Sequence, residues 1–222
     1  MQPVTFVTTD GETIGGLCTK HPLALPVLQQ LGVELSDPTA TIDACCVARG
    51  LSAAAATTAI AAAEDALSTR WRDRSIDELI DDVVRTYHRP FALELAEVSR
   101  AFETARDATG HAAWSVMLSE LAELQVDLSQ HIEMEERVVF PWLRGRRASA
   151  SSSIRAMQLE HGDAIAHLLA IEAQVRRCLA DDATNPCGED AMARLHRFER
   201  WLCEHIHLES NALFPRALQA DR

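Results

Sequence analysis

The chain has 222 residues, of which 47% are hydrophobic and 5% aromatic, and it carries a formal net charge of −12. This length allows one domain of about 150 residues and a smaller one. The acidic balance argues against nucleic acid or an anionic membrane surface as a partner. No stretch approaches the roughly 20 apolar residues that a membrane-spanning helix requires. Alanine runs and the low aromatic content favour helix over sheet.

The N-terminal part of the sequence predicts a small helical domain. Residues 1–16 lack a basic region followed by an apolar run, so we expect a flexible lead-in and no signal peptide. Residues 17–70 predict the small domain, with Gly32 and Gly50 placed where helices end. The predicted helices span about 22–31, 41–49 and 51–67. Six cysteines without a secretory signal indicate reduced thiols and a cytoplasmic location.

Four long amphipathic helices follow a charged linker, Arg70–Arg74. The segment Ser75-Ile-Asp-Glu78 matches a capping box, which predicts that a helix begins there. The predicted helices span about 75–107, 112–139, 152–181 and 188–211, and each has one apolar seam. Pro90 predicts a kink in the first helix, and Pro141 and Pro215 predict the ends of the second and fourth. The pattern indicates an all-α protein built around a helical bundle.

One phrase occurs twice in these helices. The copies are His131-x-x-x-Glu135-x-x-x-x-Phe140-Pro141 and His205-x-x-x-Glu209-x-x-x-x-Phe214-Pro215. Histidine and glutamate four residues apart share one face of a helix. A lone histidine precedes each copy at nearly the same distance, His88 in the first case and His161 in the second. The sequence therefore contains two similar halves, each offering two histidines and one glutamate.

These six side chains lie on apolar seams, where an uncompensated carboxylate would cost several kcal/mol. No arginine or lysine lies near them on the seams, so we interpret them as ligands of two divalent or trivalent ions. Imidazole and carboxylate suit iron, zinc or manganese, and six ligands for two ions leave open positions. The alternative is a metal-free bundle with histidines satisfied in the core. The other histidines are interpreted as solvated or packing residues: His21, His111, His167, His196 and His207.

The motifs resemble those of a known family. They are Tyr87-His88-Arg-Pro90, Gln130-His131-Ile-Glu-Met-Glu135-Glu136, Glu160-His161-Gly-Asp163 and Glu204-His205-Ile-His-Leu-Glu209-Ser-Asn211-Ala-Leu-Phe214-Pro215-Arg216. Over residues 75–218 the chain resembles the hemerythrin-like di-iron proteins for repair of iron centres. Residues 20–32 also resemble the small N-terminal domain of that family.

The resemblance implies a hemerythrin-like up-down four-helix bundle that holds two iron ions in a non-haem di-iron centre, with or without an oxo bridge. His88 and His131 would bind one iron, and His161 and His205 the other. Glu135 and Glu209 would bridge the two ions. Asp127 and Glu160 would line a path for iron or small molecules, although both could equally be ordinary acidic residues near the site. No other cofactor is implied, and no catalytic residue is assigned.

The implied function is repair of iron–sulfur clusters damaged by nitrosative or oxidative stress. Damaged iron–sulfur proteins would be the partners, with nitric oxide or O2 as small ligands. The alternatives are an O2- or NO-binding sensor and a nitric oxide reductase, so enzymatic activity stays open. Monomer and homodimer also stay open.

Two departures from the family pattern qualify these expectations. The vicinal cysteines Cys45-Cys46 come about ten residues after the place where the family has its pair, which favours a packing role. Ile165 stands where oxygen-carrying hemerythrins have a further histidine, which disfavours a reversible oxygen carrier.

Overall fold

A computed structural model of the protein describes residues 11–145, 151–181 and 185–220. Within these ranges the regular structure is helical apart from one isolated bridge between Thr13 and Thr41, which confirms the all-α prediction. The α-helices are α1 Ile14–Lys20, α2 Ala24–Gln30, α3 Ile42–Ala48, α4 Ala53–Thr69, α5 Ile76–Val83, α6 Phe91–Thr109, α7 Ala113–Met134, α8 Phe140–Arg144, α9 Ser151–Asp181, α10 Pro186–Leu208 and α11 Phe214–Ala220. Three π-helical turns interrupt them, at Val84–His88, Glu135–Val139 and Glu209–Leu213.

Four long helices form the bundle. Helix α6 packs against α7 and α10, and α9 packs against the same two helices, so the four enclose a central space. Neighbours along the chain are neighbours in the bundle, as an up-down topology requires. Apolar residues from every helix line the interior, including Phe102, Leu121, Leu168 and Leu195. The predicted four-helix bundle is therefore confirmed.

The N-terminal helices pack on one side of this bundle. Helix α1 contacts α9, and α2 contacts both α10 and α4. The first helix begins at Ile14, inside the range 1–16 for which the sequence predicts a flexible lead-in, and the Ile14 side chain is fully buried. The Thr13 hydroxyl caps this helix by accepting a hydrogen bond from the Gly16 amide, at 3.1 Å. Residues 1–10 of the lead-in lie outside the described residues.

The predicted helix ends are confirmed at two glycines and wrong at two prolines. Gly32 and Gly50 directly follow the ends of α2 and α3 with φ of 69° and 75°, a conformation that glycine adopts without strain. Pro141 and Pro215 end no helix, since each is the second residue of a new helical segment, α8 or α11. The first turn of a helix does not use all its amide hydrogens, so proline is tolerated there.

Among the described residues, no single helix is long and apolar enough to cross a membrane. Only α3 and α4 taken together meet that criterion, and these two helices are bent by 105° relative to each other.

Candidate metal centre

The four histidines and two glutamates of the repeated phrases lie together inside the bundle. They come from the π-helical turn that precedes α6 and from α7, α9 and α10 with the turns that follow α7 and α10. All six side chains are buried, and Glu135 and Glu209 are 0% exposed. They are His88, His131, Glu135, His161, His205 and Glu209.

The six side chains form two overlapping clusters. One contains His88 and His205, and the other contains His131 and His161. Glu135 and Glu209 belong to both, and within each cluster the potential ligand atoms lie within 4.8 Å of one another. The clusters group His88 with His205 and His131 with His161, whereas the resemblance implies the pairs His88 with His131 and His161 with His205. Each cluster takes one histidine from each half of the chain.

Each glutamate lies between one histidine of each cluster. The Oε2 atom of Glu135 is 3.3 Å from His88 Nε2 and 3.5 Å from His131 Nε2. The two oxygens of Glu209 divide between His205 Nε2 and His161 Nε2, both at 3.1 Å. A carboxylate placed in this way can bind one ion through each oxygen or share one oxygen between two ions.

Acceptor groups face the outer nitrogens of three histidines. The Nδ1 atom of His88 is 2.9 Å from Glu136 Oε1, and that of His131 is 2.7 Å from Glu160 Oε2. The Nδ1 atom of His161 is 3.3 Å from the Ser210 hydroxyl. An imidazole that donates a hydrogen bond from Nδ1 presents an unprotonated Nε2, which is the form that binds metals.

Several polar atoms in this centre lack the hydrogen bonds that buried groups normally make. Among the described residues, His88 Nε2, His205 Nε2 and both oxygens of Glu135 and Glu209 have no hydrogen-bond partner. The Nε2 atoms of His131 and His161 face each other at 3.0 Å. Cations between these donor atoms would satisfy all of them, so the residues present fit a dinuclear metal site.

The charge state of Glu209 agrees with this interpretation. Burial alone would raise the pKa of its carboxyl, but the imidazoles of His205 and His161 lower the pKa well below its ordinary value. Glu209 is therefore a carboxylate at neutral pH and can act as a ligand.

The π-helical turns explain the spacing of the repeated phrase. Glu135 and Glu209 each begin such a turn, and the turn brings the following phenylalanine over a histidine of the same half. Phe140 stacks on His88 with ring centroids 5.6 Å apart, and Phe214 stacks on His161 at 6.3 Å. Turns of this kind occur frequently at functional sites.

A cavity of about 520 Å³ reaches His131 from the surface side of α7 and α9. Asp127 and Glu160 both line it, together with Met134 and His167. Glu160 thus faces the cavity and also contacts His131, whereas Asp127 lines the cavity without a hydrogen bond to a described histidine of the centre.

Sequence reasoning did not identify two residues that contact the histidines of the centre. Glu136 and Ser210 directly follow Glu135 and Glu209 and contact His88 and His161. These two residues occupy equivalent positions in the two copies of the repeated phrase, and that equivalence is a sequence signal for a shared role. On a regular α-helix, however, the residue after a buried ligand points about 100° away from it. Sequence reasoning did not foresee the π-helical turns.

The remaining histidines that the sequence assigned to packing or solvent lie outside the two clusters. His207 is buried, with Ser68 Oγ at 3.1 Å from its Nε2 and the Asn211 amide at 3.0 Å from its Nδ1. Burial lowers the pKa of His207, which therefore packs as a neutral ring. All six cysteines are free thiols, and burial raises the pKa of both Cys45 and Cys46.

Comparison with known proteins agrees with this geometry. Residues 79–217 match the family described as Hemerythrin HHE cation binding domain. A probable iron-sulfur cluster repair protein of Haemophilus influenzae is 29% identical over 151 residues, covering 67% of this chain and 68% of the relative. The iron-sulfur cluster repair protein YtfE of Dickeya chrysanthemi is 32% identical over 161 residues, covering 68% and 70% of the two chains. YtfE of Musicola paradisiaca is 31% identical over 171 residues, covering 72% and 73%.

The family match spans more than half of this chain and includes all six side chains of the two clusters. The buried histidines and glutamates therefore lie within a cation-binding domain. The chain belongs to the hemerythrin HHE cation-binding family and is related to its iron–sulfur cluster repair proteins.

Proposed function

We propose that this protein holds two iron ions and takes part in repairing iron–sulfur clusters damaged by nitrosative or oxidative stress. The observation that carries the proposal is the pair of overlapping clusters that share Glu135 and Glu209. The relatives support the same assignment, since they are named as iron–sulfur cluster repair proteins.

His88 and His205 would hold one ion, His131 and His161 the other, and both glutamates would bridge. Such a centre supplies iron that can be released, or open positions that bind nitric oxide or O2. Acceptors at the Nδ1 atoms of His88, His131 and His161 would keep the Nε2 atoms of these three imidazoles unprotonated. Burial excludes bulk water from the two carboxylates. Glu160 and Asp127 line the cavity next to His131 and would form the path along which iron or a small ligand passes.

The first experiment is elemental analysis of protein purified without oxygen. We expect about two irons per chain, because each ion draws on its own pair of histidines and on both glutamates. Zinc alone, or no metal despite iron supply, would overturn the proposal of a di-iron centre.

The second experiment tests repair directly. Iron-loaded protein is incubated with an iron–sulfur enzyme whose cluster has been damaged by nitric oxide, and we expect the activity of that enzyme to recover. Free ferrous iron at the same concentration is the control. Equal recovery with free iron, or no recovery with the protein, would contradict the repair function.

Nitric oxide reduction is a second candidate, because two adjacent ions sharing two carboxylates could bind two nitric oxide molecules. Nitrous oxide formed in the presence of excess reductant would support it. We further propose a cytoplasmic location, since all six cysteines are free thiols, as a reducing compartment requires.

A further inference from the structure

A second buried group of potential ligands lies where the N-terminal helices meet the bundle. It contains Glu172 of α9 and His196 and Glu199 of α10, whose potential ligand atoms lie within 4.8 Å of one another. Along α9, Glu172 is about 16 Å from His161, at a rise of ~1.5 Å per residue. This group is therefore distinct from the two clusters that share Glu135 and Glu209.

Both carboxyls of this group are withdrawn from solvent. Glu172 and Glu199 are 0% exposed, whereas the His196 side chain is 29% exposed and connects the group to the surface. The side-chain amide of Gln29, in α2, also contacts this group. The Nε2 atom of Gln29 donates to Glu172 Oε2 at 3.0 Å and to Glu199 Oε2 at 2.6 Å.

Both carboxylate oxygens of Glu172 have hydrogen-bond partners, whereas one oxygen of Glu199 has none among the described residues. Glu172 Oε1 accepts from Arg176 Nη2 at 2.6 Å and lies 3.2 Å from His196 Nε2. Glu199 Oε1 is buried and has no hydrogen-bond partner among the described residues. If Glu199 is protonated there, its hydroxyl has no acceptor, and if it is ionised, its charge has no counterion. In either state a buried polar group lacks a partner, which is rare in folded proteins.

The charges around this group favour the binding of a cation. Burial and the nearby Glu172 raise the pKa of Glu199 well above its ordinary value. Arg176 is the cation in contact with the group, and it also lies 3.7 Å from Glu34. A divalent ion bound here would displace the proton that burial holds on Glu199, and the two carboxylates of Glu172 and Glu199, with Arg176 beside them, would then neutralise part of its charge.

We propose that Glu172, Glu199 and His196 form a third metal site, which binds one divalent first-row transition-metal ion between the N-terminal helices and the bundle. Two carboxylates and one imidazole are a donor set that suits Zn²⁺, Mn²⁺ or Fe²⁺. A half-turn of the Gln29 carboxamide presents its oxygen in place of its nitrogen and supplies a fourth donor. Arg176 stays on the outer oxygen of Glu172 and orients that ligand.

Bound metal would join three helices, because the ligands come from α9 and α10 and the fourth donor comes from α2. The site lies outside the six ligands of the proposed di-iron centre, and its existence does not depend on the repair function. His196 forms the exposed edge through which an ion enters.

The test is a metal titration of the full chain, purified without oxygen and loaded with iron. Zn²⁺ is added in excess, weakly bound metal is removed by dialysis, and iron and zinc are counted in the same sample. Because Zn²⁺ can replace Fe²⁺ at sites of this kind, we expect the zinc taken up to exceed the iron lost by about one ion per chain. Glu199→Gln and His196→Gln are expected to lose this additional zinc and to keep as much iron as the wild type.

His111→Gln is the matched control, because His111 also faces a carboxylate, Asp181 at 3.8 Å, but both side chains are exposed. This variant should take up zinc like the wild type. Circular dichroism verifies folding, and His196→Gln changes a partly exposed position that folding tolerates. If the wild type takes up no such zinc, or if both ligand variants bind as much as His111→Gln, the third site does not exist.

The outcomes separate this proposal from the proposed function. A protein that never holds iron but loses one zinc on His196→Gln retains the third site and loses the di-iron centre. A protein that holds about two irons and takes up no further zinc retains the di-iron centre and lacks the third site.

Discussion

At the scale of single residues, the two glutamates and the four histidines of the metal centre differ in one respect. Glu135 and Glu209 each belong to both clusters, whereas each histidine belongs to one. Loss of a glutamate therefore affects both ion positions, and loss of a histidine affects one directly. This difference allows the ligand assignment to be tested by counting ions.

We expect Glu209→Gln to remove most of the metal from both positions, because the substituted amide carries no charge and Glu135 alone must bridge. We expect His88→Ala to retain about one iron per chain, since the cluster of His131 and His161 keeps its ligands. Elemental analysis of protein purified without oxygen measures both.

Glu133→Gln is the matched control for these variants. Glu133 lies two residues before Glu135, but it is exposed and pairs with Arg137. This variant should keep the wild-type iron content. Equal iron in Glu209→Gln, His88→Ala and the control would refute the assignment of these six side chains as ligands.

Glu160 supports a second prediction, because its carboxylate holds His131 Nδ1 at 2.7 Å. Removing such a partner lowers metal affinity by about 10- to 100-fold in comparable sites. We expect Glu160→Ala to release iron to a chelator at a correspondingly lower chelator concentration. Asp127→Asn is the comparison, since Asp127 lines the same cavity without a hydrogen bond to His131. If both variants behave like the wild type, Glu160 does not orient the histidine.

The sequence singled out the six side chains that lie together in the two clusters, but the resemblance pairs the histidines differently from the clusters. The spacing of His131 and Glu135, repeated at His205 and Glu209, places each pair on one helical face whatever the tertiary structure. The grouping of histidines from the two halves depends on how the four helices pack. A local sequence pattern does not specify that packing.

At the scale of the helix, the capping box of α5 has the geometry that its sequence predicted. The Ser75 amide and hydroxyl both donate to the Glu78 carboxylate, and the Ser75 hydroxyl accepts from the Glu78 amide. The hydrogen bonds from the Ser75 amide and hydroxyl lower the pKa of Glu78. A carboxyl with a lowered pKa stabilises the fold above its ordinary value of about 4.3, and that contribution is lost as the pH falls through the lowered value.

We therefore expect Glu78→Gln to lower the midpoint of thermal unfolding at pH 7, and to differ less from the wild type near pH 3. Thermal unfolding followed by circular dichroism at both pH values measures the difference. Glu123→Gln, at an exposed position of α7, is the control. A difference between Glu78→Gln and wild type that is as large at pH 3 as at pH 7 would show that the charge of Glu78 contributes nothing.

Helix interruptions were the elements that sequence reasoning predicted least well. Pro90 correctly indicated a break between His88 and Phe91, but Pro141 and Pro215 did not mark helix ends. A proline in the first turn of a helix and a proline after its last turn give the same local signal. The π-helical turns that precede Phe140 and Phe214 distinguish the two cases here.

At the scale of the whole molecule, one continuous hydrophobic core runs from Ile14 in α1 to Ala217 in α11. Leu28 of α2 is fully buried in that core, where the N-terminal helices pack on α10. The two parts that the sequence separates at about residue 70 therefore share one apolar interior. We expect them to unfold together.

We expect Leu28→Ala to destabilise the protein by about 2–5 kcal/mol, the usual cost of such a cavity, and to leave a single unfolding transition. Leu93→Ala is the control, because that side chain is 63% exposed. Chemical denaturation followed by circular dichroism measures both. Two separate transitions, with only one shifted, would show that the N-terminal helices fold independently.

The crossed pairing of histidines also indicates how the chain is organised. His88 and His131 belong to the first half and His161 and His205 to the second, and each cluster takes one from each half. A single helical hairpin could therefore not bind an ion with this ligand set. Two identical hairpins, paired about a two-fold axis between the ions, would present the same six ligands. The metal centre has the symmetry of a homodimeric interface whose two copies have become consecutive segments of one chain, as gene duplication and fusion would produce.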